Sequence, residues 1–268
     1  MVLLLLCWKG GNIMEQSEVK QQARSFIDEL LTYSYAQIFD ILPTEKKLQE
    51  LHEQSPNSIE VLIGLMFAAI MLGKRQEALD ISDKIWTIGG ELSDFFELIY
   101  TNNLLNLGEI ERARIILEAR LANIGDNLQN FYMVMTKYAL LSGRLTLLQQ
   151  ISDYPNMYER ESDLFDFAES HALNFSIKDY RAIIRIILDN LKDVLCAWEY
   201  NMYLHEGIEL VFYTSLDIPQ NEKLQEQLFE KINGYFTSME QPPLEDLFLL
   251  LQNIKLHPAW IETKSDEA

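Results

Sequence analysis

From residue 15 to about 152, apolar side chains recur every three to five positions, in stretches that end on regularly spaced glycines. Leu72-Gly73, Leu107-Gly108 and Ser142-Gly143 each close an apolar stretch and open a more polar one, at intervals of 35 residues. Glycine adopts the left-handed backbone conformation that ends a helix and turns the chain back on itself. The repeat therefore predicts three helical hairpins, with helices over 58–72 and 76–87, 93–107 and 110–122, and 127–141 and 145–152. Gly89-Gly90, Gly125 and Pro155 punctuate the links between them. Upstream, Phe26, Leu30, Tyr33 and Ile38 mark a helix over 15–42 that Pro43 closes, and Thr44 caps a shorter helix over 44–54. This pair reads as a diverged first hairpin without its glycine, since Ile38 stands 35 residues before Gly73.

After Pro155 the pattern changes. Asp153, Glu159, Glu161, Asp163, Asp166 and Glu169 face a single Arg160, which predicts an acidic connector over 156–178 rather than a calcium loop, because the ligand spacing and its glycine are missing. Residues 182–188 are rich in isoleucine, 194–204 alternate through Trp198, Tyr200 and Met202, and 208–215 form another apolar and aromatic stretch. With turn-like residues at 189–193 and 205–207, these predict a three-stranded antiparallel meander, the first strand being open to a helical reading. Leu224, Leu228, Ile232 and Phe236 then define an amphipathic helix, and Pro242-Pro243 precedes a last helix over 244–256. The expected fold class is mainly α: helical hairpins over 14–155, followed by a small α+β module over 179–268 that caps the array or adds a second contact. An all-helical continuation is the competing account. Residues 1–13 are expected to form a disordered extension or a short packed segment.

Composition narrows the function more than the fold. The 268 residues carry 41 acidic against 22 basic side chains, a formal net charge of -19. That excess repels phosphate backbones and anionic lipid, and no run of Lys and Arg exceeds two residues, so neither nucleic acid nor a membrane is an expected partner. A basic protein partner is compatible with the charge. Cys7 and Cys196 are too few for a disulfide framework, which fits a reducing, cytoplasmic setting. His52, His171, His205 and His257 are scattered, no glycine-rich phosphate cradle is present, and Cys196 falls in an apolar stretch where a core role is expected. Neither an enzyme nor a cofactor is expected.

The hairpin region resembles the tetratricopeptide family, in which a glycine ends the first helix and an alanine five residues later lets the two helices approach. Gly73 with Ala78 and Gly108 with Ala113 keep that relation, whereas Leu148 takes the alanine position in the third copy. Leu62, Glu97 and Tyr132 stand where the family favours tryptophan, and the period is one residue longer. The resemblance implies a superhelix whose first helices line a concave face. Its inward positions would include Glu60, Phe67 and Met71, then Phe95, Asn102 and Asn106, then Asn130, Met133 and Lys137. The lysine, asparagine and arginine clamp with which some relatives grip a terminal carboxylate is absent, since Ile63, Phe67, Ile99, Asn130 and Val134 occupy those places. The expectation is an adaptor or chaperone-like scaffold that holds a basic or amphipathic peptide or helix of a partner in the concave face. Two alternatives stand beside it: an assembly subunit, such as a homodimer, that associates through the C-terminal sheet, and an enzyme with a site around His205 or Cys196.

Overall fold

The structure is a computed structural model and describes residues 16–33, 38–122, 131–144, 147, 177–203, 207–238 and 254–259. It is mainly helical, with a small three-stranded sheet towards the C-terminal end. The helices are α1 (Gln16–Leu30), α2 (Ile38–Gln54), α3 (Ile59–Met71), α4 (Arg75–Ile88), α5 (Asp94–Asn106), α6 (Ile110–Ala122), α7 (Tyr132–Ser142), α8 (Ile177–Leu191) and α9 (Ile218–Thr237). The strands are β1 (Leu195–Tyr203), β2 (Gly207–Thr214) and β3 (Ile254–Pro258). Among the described residues no helix is long and apolar enough to cross a membrane.

The three spaced glycines close three helices in one way. Gly73, Gly108 and Gly143 have φ of 69°, 78° and 65°. The amide after each reaches back to a carbonyl in the last turn: Lys74 to Ala69 at 2.8 Å, Glu109 to Leu104 at 2.8 Å and Arg144 to Ala139 at 2.9 Å. Carbonyls that a helix end leaves without donors are thus satisfied before the chain turns. Short turns then return α4 against α3 and α6 against α5, and α5 lies between α3 and α7. Ala78 and Ala113 are fully buried at these contacts.

Every residue of α3 from Val61 to Met71 is buried. A helix apolar all round must be enclosed, and α1, α2, α4, α5 and β1 all pack on it. Gly64 permits the approach of α2, because a Cβ there would lie 2.7 Å from a Leu48 methyl. Ser58 caps α3 by accepting the Val61 N–H at 3.4 Å.

Several boundaries differ from those the sequence suggests. Helix α1 ends at Leu30, where Leu31, Thr32 and Tyr33 close on carbonyls three or four residues back. Helix α2 runs through Pro43 instead of starting after it, and Thr44 is buried inside it rather than capping it. Proline removes one donor and crowds the carbonyl four residues earlier; that carbonyl belongs to Phe39, which is 75% exposed near the start of the helix, where solvent can take the donor's place. The isoleucine-rich segment is helix α8, not a strand: Tyr180, Ile183, Ile184, Ile187 and Leu191 are buried while Arg181, Arg185 and Asp189 are exposed. Buried residues at three- and four-residue intervals make one helical face, and that outweighs the β preference of isoleucine.

The expected meander is likewise corrected. β1 and β2 pair antiparallel, with Trp198 opposite Phe212, but β3 joins β2 in parallel, with Phe212 opposite Leu256. Residues 254–256, expected to end a helix, begin β3, in which Ile254 and Leu256 are buried and Lys255 and His257 exposed. Helix α9 starts with a reciprocal cap between Asp217 and Gln220 and packs Leu228, Ile232 and Phe236 inward against β3 and α8. The expected extension over 1–13, most of the connector over 156–178, His205 and residues 244–253 lie outside the described residues. So does the expected helix over 145–152, apart from Leu147, which is buried.

Candidate functional site

The glycine turns do more than reverse the chain, because the C-terminal elements dock on them. The Cys196 thiol donates to the Gly73 carbonyl with Sγ 3.6 Å away, and the Leu195 side chain lies against Gly108. Arg181 of α8 donates its Nε to the Gly143 carbonyl at 3.0 Å. Between the first two turns, Arg75 donates to the Leu107 carbonyl at 2.9 Å and to the Leu195 carbonyl. The ends of α3, α5 and α7 therefore form a ledge that carries β1 and α8.

Behind this ledge lies a buried polar cluster. Phe67, Asn102 and Lys137 are equivalent positions, each 35 residues after the last. Lys137 is 7% exposed; its ammonium donates to Asn106 Oδ1 at 2.7 Å and to Asn102 Oδ1 at 3.0 Å, and sits 5.1 Å from the Trp198 ring centroid. Burial lowers its pKa to about 7, against a smaller opposing pull from Glu199. Both polar side-chain atoms of fully buried Asn103, with Asn106 Nδ2 and Trp198 Nε1, find no hydrogen-bond partner among the described residues.

The residues expected to face a partner thus divide. Asn102, Asn106 and Lys137 come together, but under β1 of the same chain. Phe67 and Met71 are buried in the core. Glu60 accepts from Ser58 at 3.1 Å and meets Lys20 of α1 at 3.6 Å, and the Phe95 ring is covered by the Arg24 guanidinium of α1 at 4.5 Å. Met133 is 55% exposed, and Asn130 lies outside the described residues. Helix α1 and strand β1 therefore engage opposite ends of the α3–α5–α7 layer. Trp198 and Arg75 were not foreseen, since both act between segments more than 60 residues apart. A lysine at a repeat position held elsewhere by Phe67 was the available signal.

Chemistry is sparse in what remains. The Cys196 thiol is buried and its pKa pushed up to about 12, which keeps it protonated and inert as a nucleophile. Among the described residues no three His, Cys, Asp or Glu side chains gather to hold a metal ion.

An open groove of about 690 Å³ lies between α4, α5 and α6. Ile59, Ile85, Leu92 and Ile116 supply apolar walls, Trp86 stands 42% exposed at its edge with the Arg112 guanidinium 5.6 Å from its ring, and Glu91, Asp94, Glu97 and Arg120 are the charged residues among those described that line it. Arg120 pairs with Asp94 at 2.7 Å and with Glu97. Gly89 and Gly90, both with positive φ, carry the chain around this edge without side chains that would fill it. Compared with protein-family models, with curated proteins and with solved structures, the chain matches none.

Proposed function

We propose that the chain is a non-enzymatic scaffold that holds a basic, amphipathic segment of a protein partner in the groove between α4, α5 and α6. On this reading the α3/α4 and α5/α6 hairpins are diverged tetratricopeptide units working in a reducing, cytoplasmic setting. Their concave layer is engaged by α1 and β1, so the partner takes the outer groove. The observation that carries the proposal is a part-exposed tryptophan, its ring already met by the Arg112 guanidinium, beside an apolar floor lined, among the described residues, by three carboxylates and Arg120. An aromatic side chain of this kind is a common anchor at protein interfaces. The net charge of -19 adds long-range attraction for a cationic partner.

The test is calorimetric titration with a synthetic helix-forming peptide of lysine and leucine, beside a scrambled peptide of equal composition. The amphipathic peptide binds, and Trp86→Ala weakens it by at least about tenfold without altering the circular dichroism of the protein. Equal binding of the scrambled peptide, or an unchanged affinity in the folded variant, removes the assignment.

A further inference from the structure

A second groove, of about 980 Å³, runs along the ledge where α8 meets the hairpin turns. It carries the opposite sign from the rest of the molecule. Among the described residues Arg75, Arg114, Arg144, Arg181, Arg185 and Lys192 line it, six of the 22 basic residues in the chain, against Glu109, Glu111, Asp189 and Asp193, with Glu118 beside them. Neither Arg181 nor Lys192 has a carboxylate within 4.0 Å among the described residues, and Arg185 has only Asp189 at 3.9 Å. Arg181 spends its Nε on the Gly143 carbonyl, which fixes the guanidinium at the groove. Arg114 and Arg144 are already paired within the chain, both with Glu118, at 2.6 Å and 3.2 Å, and Arg114 also with Glu111 at 2.8 Å, so Arg181, Arg185 and Lys192 are the cations left to meet a ligand. Leu79, Ile184 and Leu188 lie among the cations.

We infer that this groove is a second docking site, for an acidic segment of a protein partner in which carboxylates alternate with apolar side chains. Cations interspersed with apolar side chains match such a segment better than one compact phosphate, which a focused cluster would grip. Arginine forks suit carboxylates arriving from several directions. In a protein that repels anions overall, such a groove selects a ligand by short-range contact, since attraction between exposed charges fades beyond about 10 Å at ordinary salt.

The inference does not depend on the α4–α6 groove, and its test uses other residues. A labelled peptide of alternating glutamate and leucine is titrated by fluorescence anisotropy into the full chain at low and moderate salt. Binding that falls at least tenfold in the double variant Arg185→Glu/Lys192→Glu supports the site; both positions are exposed and the thermal melt should not move. Asp189→Lys should raise the affinity. An unchanged affinity in the double variant overturns the proposal, as does full displacement of the peptide by millimolar inorganic phosphate, which would mark a small-anion site. A third arm neutralises Asp153, Glu159, Glu161, Asp163, Asp166 and Glu169 to their amides. If the peptide binds only after that change, the chain's own acidic stretch is the occupant and the partner assignment fails.

Discussion

Gly108 and Gly143 share a left-handed backbone but not the same surroundings. A Cβ at Gly108 would meet the Leu195 methyl at an ordinary 3.5 Å, whereas at Gly143 it would overlap the Arg181 Cγ and press on the Arg181 backbone. Gly108→Ala should therefore cost about 1–2 kcal/mol, the strain of the backbone alone, and Gly143→Ala at least about 1 kcal/mol more. Urea unfolding of the two variants checks the difference, and equal costs would refute the docking of α8 on this turn. Lys137 makes a second prediction at this scale. Its folded pKa of about 7 lies below its ordinary value of 10.5, so between those values the unfolded chain binds more protons and stability rises with pH. From pH 7 to about 8, below the range where ionisation of the unfolded Cys196 thiol matters, the gain should be about 1 kcal/mol. Lys137→Met should lose that slope, measured by urea unfolding at constant salt. Glycine positions were legible in the sequence because φ constraints are local; the burial of Lys137 was not, because it depends on Trp198, 61 positions away.

Among elements, the helical hairpins were the most legible part of the chain, since each hairpin's helices and turn lie within one 35-residue period. The amphipathic face of α9 and the strands β1 and β2 were readable for the same reason. Helix α8 stayed open between strand and helix in the sequence, because isoleucine composition favours the one and the spacing of Tyr180, Ile183, Ile184, Ile187 and Leu191 the other. Strand β3 could not be anticipated from five residues whose partner, β2, lies 40 or more residues earlier in the chain. Arg75 is one of the ties between sheet and hairpins. Removing that guanidinium leaves the Leu107 and Leu195 carbonyls without their donor, at a cost of about 1–3 kcal/mol. In Arg75→Ala, amide exchange should accelerate in β1 while the amides of α1 keep their protection. Equal acceleration in both would mean that the tie is not specific.

At the scale of the molecule, two grooves of opposite sign flank an enclosed core. The layer expected from sequence to receive a partner is largely engaged by the chain itself: β1 lies over Lys137, and α1 over Phe95. The candidate site was therefore half legible. Asn102, Asn106 and Lys137 were picked out together and do meet, but the groove beside Trp86 was passed over, because the chain there offers only Gly89-Gly90 and scattered acids. Because β1 and α8 rest on the same turns that close α3, α5 and α7, the hairpins and sheet should unfold together. Tryptophan fluorescence and far-ultraviolet circular dichroism should then trace one coincident urea transition. The central claim, that a basic amphipathic segment occupies the outer groove, is tested most directly by hydrogen–deuterium exchange of the chain with and without the lysine–leucine peptide. The account predicts added protection over residues 86–97 and 116–120, with β1 unchanged; protection of the α3–α5–α7 layer with faster exchange in β1 would contradict it.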